Sequence, residues 1–206
     1  MKYIKRTSLI VAFLFIGLQD FRSQSEKIGP AFTKSIKSEA DGDYKTAIAI
    51  MKEVYDKSSY EVNLRLGWLH YLAGMNKESV TYYQSAIDLK PHSIEARLGY
   101  VYPAAILGNM DQVKTQYLKI IEIDPQNSVA HYRLGYLLYE KKDYQGAYKH
   151  FLKVVDHYPF GYDGLLMLAW TELYLGKKTE AKVLFTKVLW LYPEDKSAKD
   201  GIGQLK

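Results

Sequence analysis

Residues 128–161 read SVAHYRLGYLLYEKKDYQGAYKHFLKVVDHYPFG, and this stretch decides the fold. It holds two runs of helical apolar spacing, parted by Lys141-Lys142-Asp143 and closed by Pro159. Its marks recur along the chain at a 34-residue step. Pro91, Pro125, Pro159 and Pro193 keep that interval. Gly74, Gly108 and Gly176 mark a turn, with Lys142 standing in the missing slot. Tyr83, Tyr117, Phe151 and Phe185 mark a ring. Ser79, Val113, Ala147 and Ala181 precede the ring by four, and Ala86, Ile120, Val154 and Val188 follow it by three. Such a period means an all-α array of stacked helix pairs, each unable to bury its apolar side alone.

The other pairs are read outward from this one. The second runs from Tyr60 to Pro91 and the fifth from Tyr162 to Pro193. The first pair matches at a step of 32, from Gly42 to Gly74, which puts Ser59 where the others have proline. Gly29-Pro30 is read as the start of the folded part, with Phe32, Ile36 and Ala40 on one helical face. In the third pair Leu98-Gly99 lies two residues early, and Pro103 falls mid-helix. Proline there removes one hydrogen bond and crowds the carbonyl four residues back, so a kink or a break near Gly99–Pro103 is expected. A short last helix carries Ala198, Ile202 and Leu205 on one face, as a cap does. Trp190, in a slot that reads Asp88, Glu122 and Asp156 elsewhere, is read as lying either under that cap, the preferred place, or in a contact.

Composition narrows the chemistry. The chain of 206 residues has a net charge of +5, but residues 1–23 carry Lys2, Lys5, Arg6 and Arg22 against Asp20. The remainder is near balance, with 24 basic and 22 acidic residues, so nucleic-acid binding has little to stand on. With no cysteine, there is no disulfide, thiolate zinc site or cysteine nucleophile. The five histidines show no metal-ligand spacing, and no phosphate-cradling glycine loop or nucleophile elbow is present. Neither an enzyme nor a cofactor is expected. Lys141-Lys142 and Lys177-Lys178 read as solvated turn charges.

Lys2, Lys5 and Arg6 precede a ten-residue apolar run, Leu9 to Leu18. That pattern is a secretory signal over residues 1–23, or an uncleaved signal anchor, and it places the protein in the periplasm or envelope. The run is shorter than the roughly 20 residues of a spanning helix. Ser23-Gln24-Ser25 resembles the end of signals on exported Bacteroidota proteins.

Leu66-Gly67, Leu134-Gly135, Ala147, Ala181, Phe151, Phe185 and the closing prolines resemble the tetratricopeptide repeat. The position this family usually gives to tryptophan holds Asn63, Arg97, His131 and Leu165 instead. The resemblance implies one domain over residues 24–206. It is a right-handed α-solenoid of about five helix-turn-helix repeats, near 28–59, 60–93, 94–127, 128–161 and 162–195, with a cap at 195–205. In that family the first helix of each pair lines the concave wall. Trp68, Tyr102, Tyr136 and Trp170 fall on it in one row, with Leu64, Leu98, Tyr132 and Leu166 a turn earlier and Tyr71 and Tyr139 nearly a turn later.

Rings offer large contact area with few rotors to freeze, so this wall is the expected site for a peptide or a partner protein. A tightly wound solenoid can also bury part of its own inner wall. Some relatives of this kind hold a carboxylate tail with cations. Here the first inner position reads Glu61, Glu95, Val129 and Asp163, with only Arg65 and Arg133 nearby, which argues against an anionic ligand. A glycan-binding module using the same rings is the alternative reading. The sequence is silent on oligomeric state.

Overall fold

The repeat shows first in its turns. Gly42, Gly74, Gly108 and Gly176 all adopt φ near +75°, at 75°, 72°, 77° and 77°, and Lys142 takes the same left-handed conformation at 60°. Glycine has no side chain to strain there, whereas a lysine costs about 1 kcal/mol.

The computed structural model describes residues 26–205, and every regular element among them is an α-helix. They are α1 (26–40), α2 (Tyr44–Glu53), α3 (Tyr60–Leu72), α4 (Asn76–Leu89), α5 (Ile94–Ile106), α6 (Met110–Ile123), α7 (Ser128–Glu140), α8 (Tyr144–His157), α9 (Tyr162–Tyr174), α10 (Lys178–Leu191) and α11 (Lys196–Gly203). The expected signal over residues 1–23 lies outside the described residues. The chain divides into two compact units, one through Gly108 with α1–α5 and one from Asn109 with α6–α11.

Three of the first helices, α3, α5 and α7, and the last helix α11 are started by a side chain that satisfies an orphan backbone N–H. Ser59, Ser93, Asn127 and Asp195 accept from Val62, Ala96, Ala130 and Ala198. The fifth such position, Gly161, has no side chain to give. Ser59 is therefore the register mate of Ser93, one step of 34 away, and not of the prolines. Lys57 holds the proline's place. The two-residue offset of the first pair arises because α2 has 10 residues where α4 has 14, while the connection after it, residues 54–59, is two longer than residues 90–93.

The departures at the family's tryptophan slot share one task. Asn63 donates to the carbonyl of Lys57 at 3.2 Å, Arg97 to that of Pro91 at 2.6 Å, and His131 Nε2 to that of Pro125 at 3.1 Å. Each reaches six residues back to tie the inter-repeat turn to the helix that follows. An indole has only one N–H, and leucine at 165 has none to offer.

The ring row forms the core between layers. Tyr83 of α4 lies between Gly67 of α3 and Gly99 of α5. A Cβ on Gly67 would meet its Cδ2 at 2.9 Å, and one on Gly99 would meet its Cζ at 2.5 Å. Phe151 packs likewise on Gly135, and Phe185 on Gly201 of α11. Phe151 and Phe185 are fully buried, and each contributes about 2–3 kcal/mol of apolar burial. The second unit's core joins them to Ala147, Leu165, Leu168, Ala181, Val188 and Ala198. In the first unit Ala31, Ala47, Met51, Val62, Leu66 and Leu69 form a separate cluster.

Four expectations are corrected. The helix carrying Gly29-Pro30 already includes residues 26–28, so that dipeptide is not its start. The buried face of α1 is Ala31 and Ser35 with Phe32 at its edge; Ile36 is 55% exposed and Ala40 is exposed too. Of the kink or break expected near Gly99–Pro103, the break does not occur, because α5 runs through Pro103 as one helix. The proline ring is itself buried beside Val101 and Ala104, and that burial offsets the lost hydrogen bond. Trp190 is not under the cap: it is 66% exposed. The cap covers Phe185 and Trp170 instead, since α11 docks as the next first helix would.

Candidate functional site

In the first unit the wall of α3 and α5 keeps its rings accessible. Trp68 is 39% exposed and Tyr102 47%. Tyr71, half-buried, stands between them with its ring centroid 5.9 Å from each. Leu64 and Leu98 are half-buried on the same two helices. The Trp68 indole is held by donating Nε1–H to Glu39 Oε1 at 2.7 Å.

A cleft of about 470 Å³ opens beside this run, lined by Tyr60, Glu61, Leu64, Arg65, Trp68 and Glu95, among others. Tyr83 and Gly99 also line it, so the packing that fixes α5 on α3 shapes the cleft. Arg65 is committed inward. Its guanidinium pairs with Glu39 and donates to Ser35 Oγ at 3.1 Å. Glu61 pairs with Lys90 at 3.0 Å, and its carboxyl is held below the usual range by its own backbone N–H in the first turn of α3 and by Lys90. Burial pushes the Tyr83 hydroxyl far up.

The second unit treats the corresponding residues differently. Tyr136 stays 41% exposed. Tyr132 packs edge-on against Phe151 at 5.8 Å. Tyr139 contacts the rings of Tyr144 and Tyr174 at 5.5 and 5.9 Å, and burial, with Tyr174 second, raises its hydroxyl well above the ordinary value. Leu166 joins the core cluster. Trp170 donates Nε1–H to Ser197 Oγ at 2.8 Å and stands edge-on to Phe185 at 5.2 Å, under α11. Here the expected ladder is largely packing.

Sequence reasoning missed two groupings. Tyr60 and Tyr162 occupy one register slot, and both bond to the residue that caps the next first helix. Tyr60 Oη lies 2.7 Å from Ser93 Oγ, and Tyr162 donates to Asp195 Oδ2 at 2.7 Å. That bond pushes the Tyr162 hydroxyl up to about 12. The repeated 33-residue step from tyrosine to cap was the available signal.

The other grouping is His131 with His150, whose Nδ1 atoms lie 2.9 Å apart. With His131 Nε2–H given to Pro125, its Nδ1 accepts and His150 Nδ1–H donates. Burial pushes the His150 imidazole below its ordinary range, and His131 and Lys149 add to this. Spacing in sequence gave no hint of the pair, because its members sit on different helices. Among the described residues no group of three or more histidines and carboxylates could hold a metal ion. Nor is any helix among them long and apolar enough to cross a membrane.

The layered pairs, the ring sockets and the turn glycines define a repeat scaffold of the tetratricopeptide class. Three tetratricopeptide-repeat models match the chain, at residues 60–93, 116–149 and 163–195. The protein is a tetratricopeptide repeat protein.

A curated relative, the anaphase-promoting complex subunit 7 of Arabidopsis thaliana, is 26% identical over 167 residues. These are 78% of this chain and 30% of that protein, so the chain spans under a third of its relative. Among solved structures, a tetratricopeptide repeat protein from Parabacteroides merdae superposes with a TM-score of 0.75 at 20% identity, covering 87% of this chain and 72% of the other. MamA from Desulfovibrio magneticus gives 0.69 at 18% identity, over 82% and 97%. YrrB, described as having an unusual peptide-binding site, gives 0.68 at 15%, over 83% and 89%. These structural likenesses establish the fold, an all-α solenoid of tetratricopeptide type.

Proposed function

We propose that this protein is a non-catalytic interaction scaffold of the cell envelope. It holds a peptide segment or partner protein against the first-helix wall of its N-terminal unit, along Leu64, Trp68, Tyr71, Leu98 and Tyr102. One observation carries this reading. Trp68 and Tyr102 stand open on either side of Tyr71, whose ring lies 5.9 Å from each of theirs, beside a cleft large enough for several side chains. Water-exposed indole and phenol faces in a connected run are what a bound segment covers with most gain. That a relative in fold is described as peptide-binding is consistent with this use of the scaffold. The basic and apolar leader supports an exported protein.

The test is a pull-down from native envelope extract with the full chain and its Trp68→Ala/Tyr102→Ala variant. Anchors of this kind contribute about 2 kcal/mol or more each, so partner recovery is expected to fall at least tenfold. Unchanged recovery by a folded variant would remove this wall from the account.

A further inference from the structure

The geometry points to a lysine or arginine side chain of the partner segment as the group that the cleft beside Trp68 takes. This rests on the reading of that wall as a binding surface and adds the chemistry of what is bound.

The cleft's charges are the first ground. Glu61 and Glu95 both line it, and Arg65 is its cation. Arg65 is already spent on Glu39 and Ser35. What remains facing solvent is carboxylate. The first unit carries a carboxylate at both copies of this register position, Glu61 and Glu95, whereas the second has Val129 and Asp163.

The second ground is that the chain already seats a cation there. Lys90 Nζ lies 4.0 Å from the centroid of the Tyr60 ring and 3.0 Å from Glu61 Oε1. An aromatic face with a carboxylate beside it is the pairing that recognises an ammonium or guanidinium group. Tyr60 is held in place for this, with its Oη 2.7 Å from Ser93 Oγ and 3.3 Å from Glu95 Oε2. The intramolecular pair is weak. The Lys90 and Glu61 side chains are both more than half exposed, at 53% and 60%. An ion pair so exposed is readily exchanged for an incoming cation. Lys90 therefore acts as a stand-in that a partner's basic residue displaces, while the partner's apolar neighbours lie on Leu64, Trp68 and Tyr102.

The experiment pans a random nonapeptide phage library against the full chain. Selected peptides are then measured by titration against wild type, Glu61→Gln/Glu95→Gln, Lys90→Ala and Trp68→Ala/Tyr102→Ala. Lysine or arginine should be enriched over aspartate and glutamate. Loss of a charge-assisted contact corresponds to about tenfold weaker binding in the glutamine variant. Lys90→Ala, which vacates the corner, should bind the basic peptides about threefold more tightly, a gain that a purely structural role for Lys90 would not produce. Neutral or acidic peptides that still depend on Trp68 and Tyr102 would overturn the cation and leave the wall standing. Peptides indifferent to Trp68→Ala/Tyr102→Ala, or no enrichment at all, would overturn both.

Discussion

Gly99→Ala is expected to destabilise the protein by about 2 kcal/mol, although alanine is the better helix former by about 1 kcal/mol. The reason is the socket. The added methyl would lie 2.5 Å from Tyr83 Cζ and closer still to Cε1. The ring cannot retreat, because Gly67 presses it from the other side and it is only 4% exposed. Either α5 moves off α4, or Tyr83 leaves its rotamer. Calorimetry on the full chain should show a melting temperature lower by about 4–8 °C. A double-mutant cycle separates the socket from a general intolerance of α5. In a Tyr83→Ala background the same Gly99→Ala change should cost less than 0.5 kcal/mol, because no ring is left to meet the methyl. Equal costs in both backgrounds would show that the ring is not what Gly99 serves.

Gly201→Ala repeats this geometry at the C-terminal end, with a different outcome. The methyl would stand 2.5 Å from Phe185 Cε2 and closer to Cζ. Here the obstructed element is α11, only 8 residues long, held by Ala198, Ile202 and Leu205 on the core and by Ser197 on Trp170. Lifting a short terminal helix is easier than moving Phe185, which is fully buried. The cap is expected to detach while the rest stays folded. In a background where Trp68 and Trp190 are phenylalanine, Trp170 emission should shift to the red and become open to acrylamide quenching. Trypsin should then cut at Lys196 and Lys199 at least tenfold faster. A variant with buried emission and a protected C-terminus would contradict the docking of α11 on Phe185.

These two glycines show where the sequence was legible and where it was not. The recurring prolines, turn glycines and rings exposed the repeat because each has a strong local cause: a fixed φ, a positive φ, or a large apolar surface that must be covered. Lys142 could be placed in a glycine slot by register alone, and its φ of 60° agrees. Gly99 was harder. It looked like a misplaced copy of Gly67, whereas it matches Gly201, three register steps on. Both serve the ring of the preceding pair. A socket is a property of two helices, and a scan along one helix does not show it.

Ser59 misled for a related reason, since α2 is shorter than its counterparts and the offset accumulates before the turn. The exposed wall was legible as a row but not as a surface. Trp68, Tyr102, Tyr136 and Trp170 share a register, yet the end ring is covered because a cap follows it, while Trp190 is left open. Which member of a row is free depends on what stacks next. Glu61 and Glu95 were legible only as an argument against an anionic ligand, and Tyr60 and Lys90 were not read with them, because these residues become a site only once the turn brings them together.

The central claim is that partners lie on the Trp68–Tyr71–Tyr102 run. It is tested most directly by photocrosslinking in living cells, with benzoylphenylalanine placed at Tyr102 in one chain and at Val183 of α10 in another. Both positions are about half exposed, at 47% and 52%, so accessibility to the reagent is matched. The account predicts discrete, high-yield adducts from position 102 and only faint ones from 183. Adducts of equal yield from both, or stronger ones from 183, would contradict it.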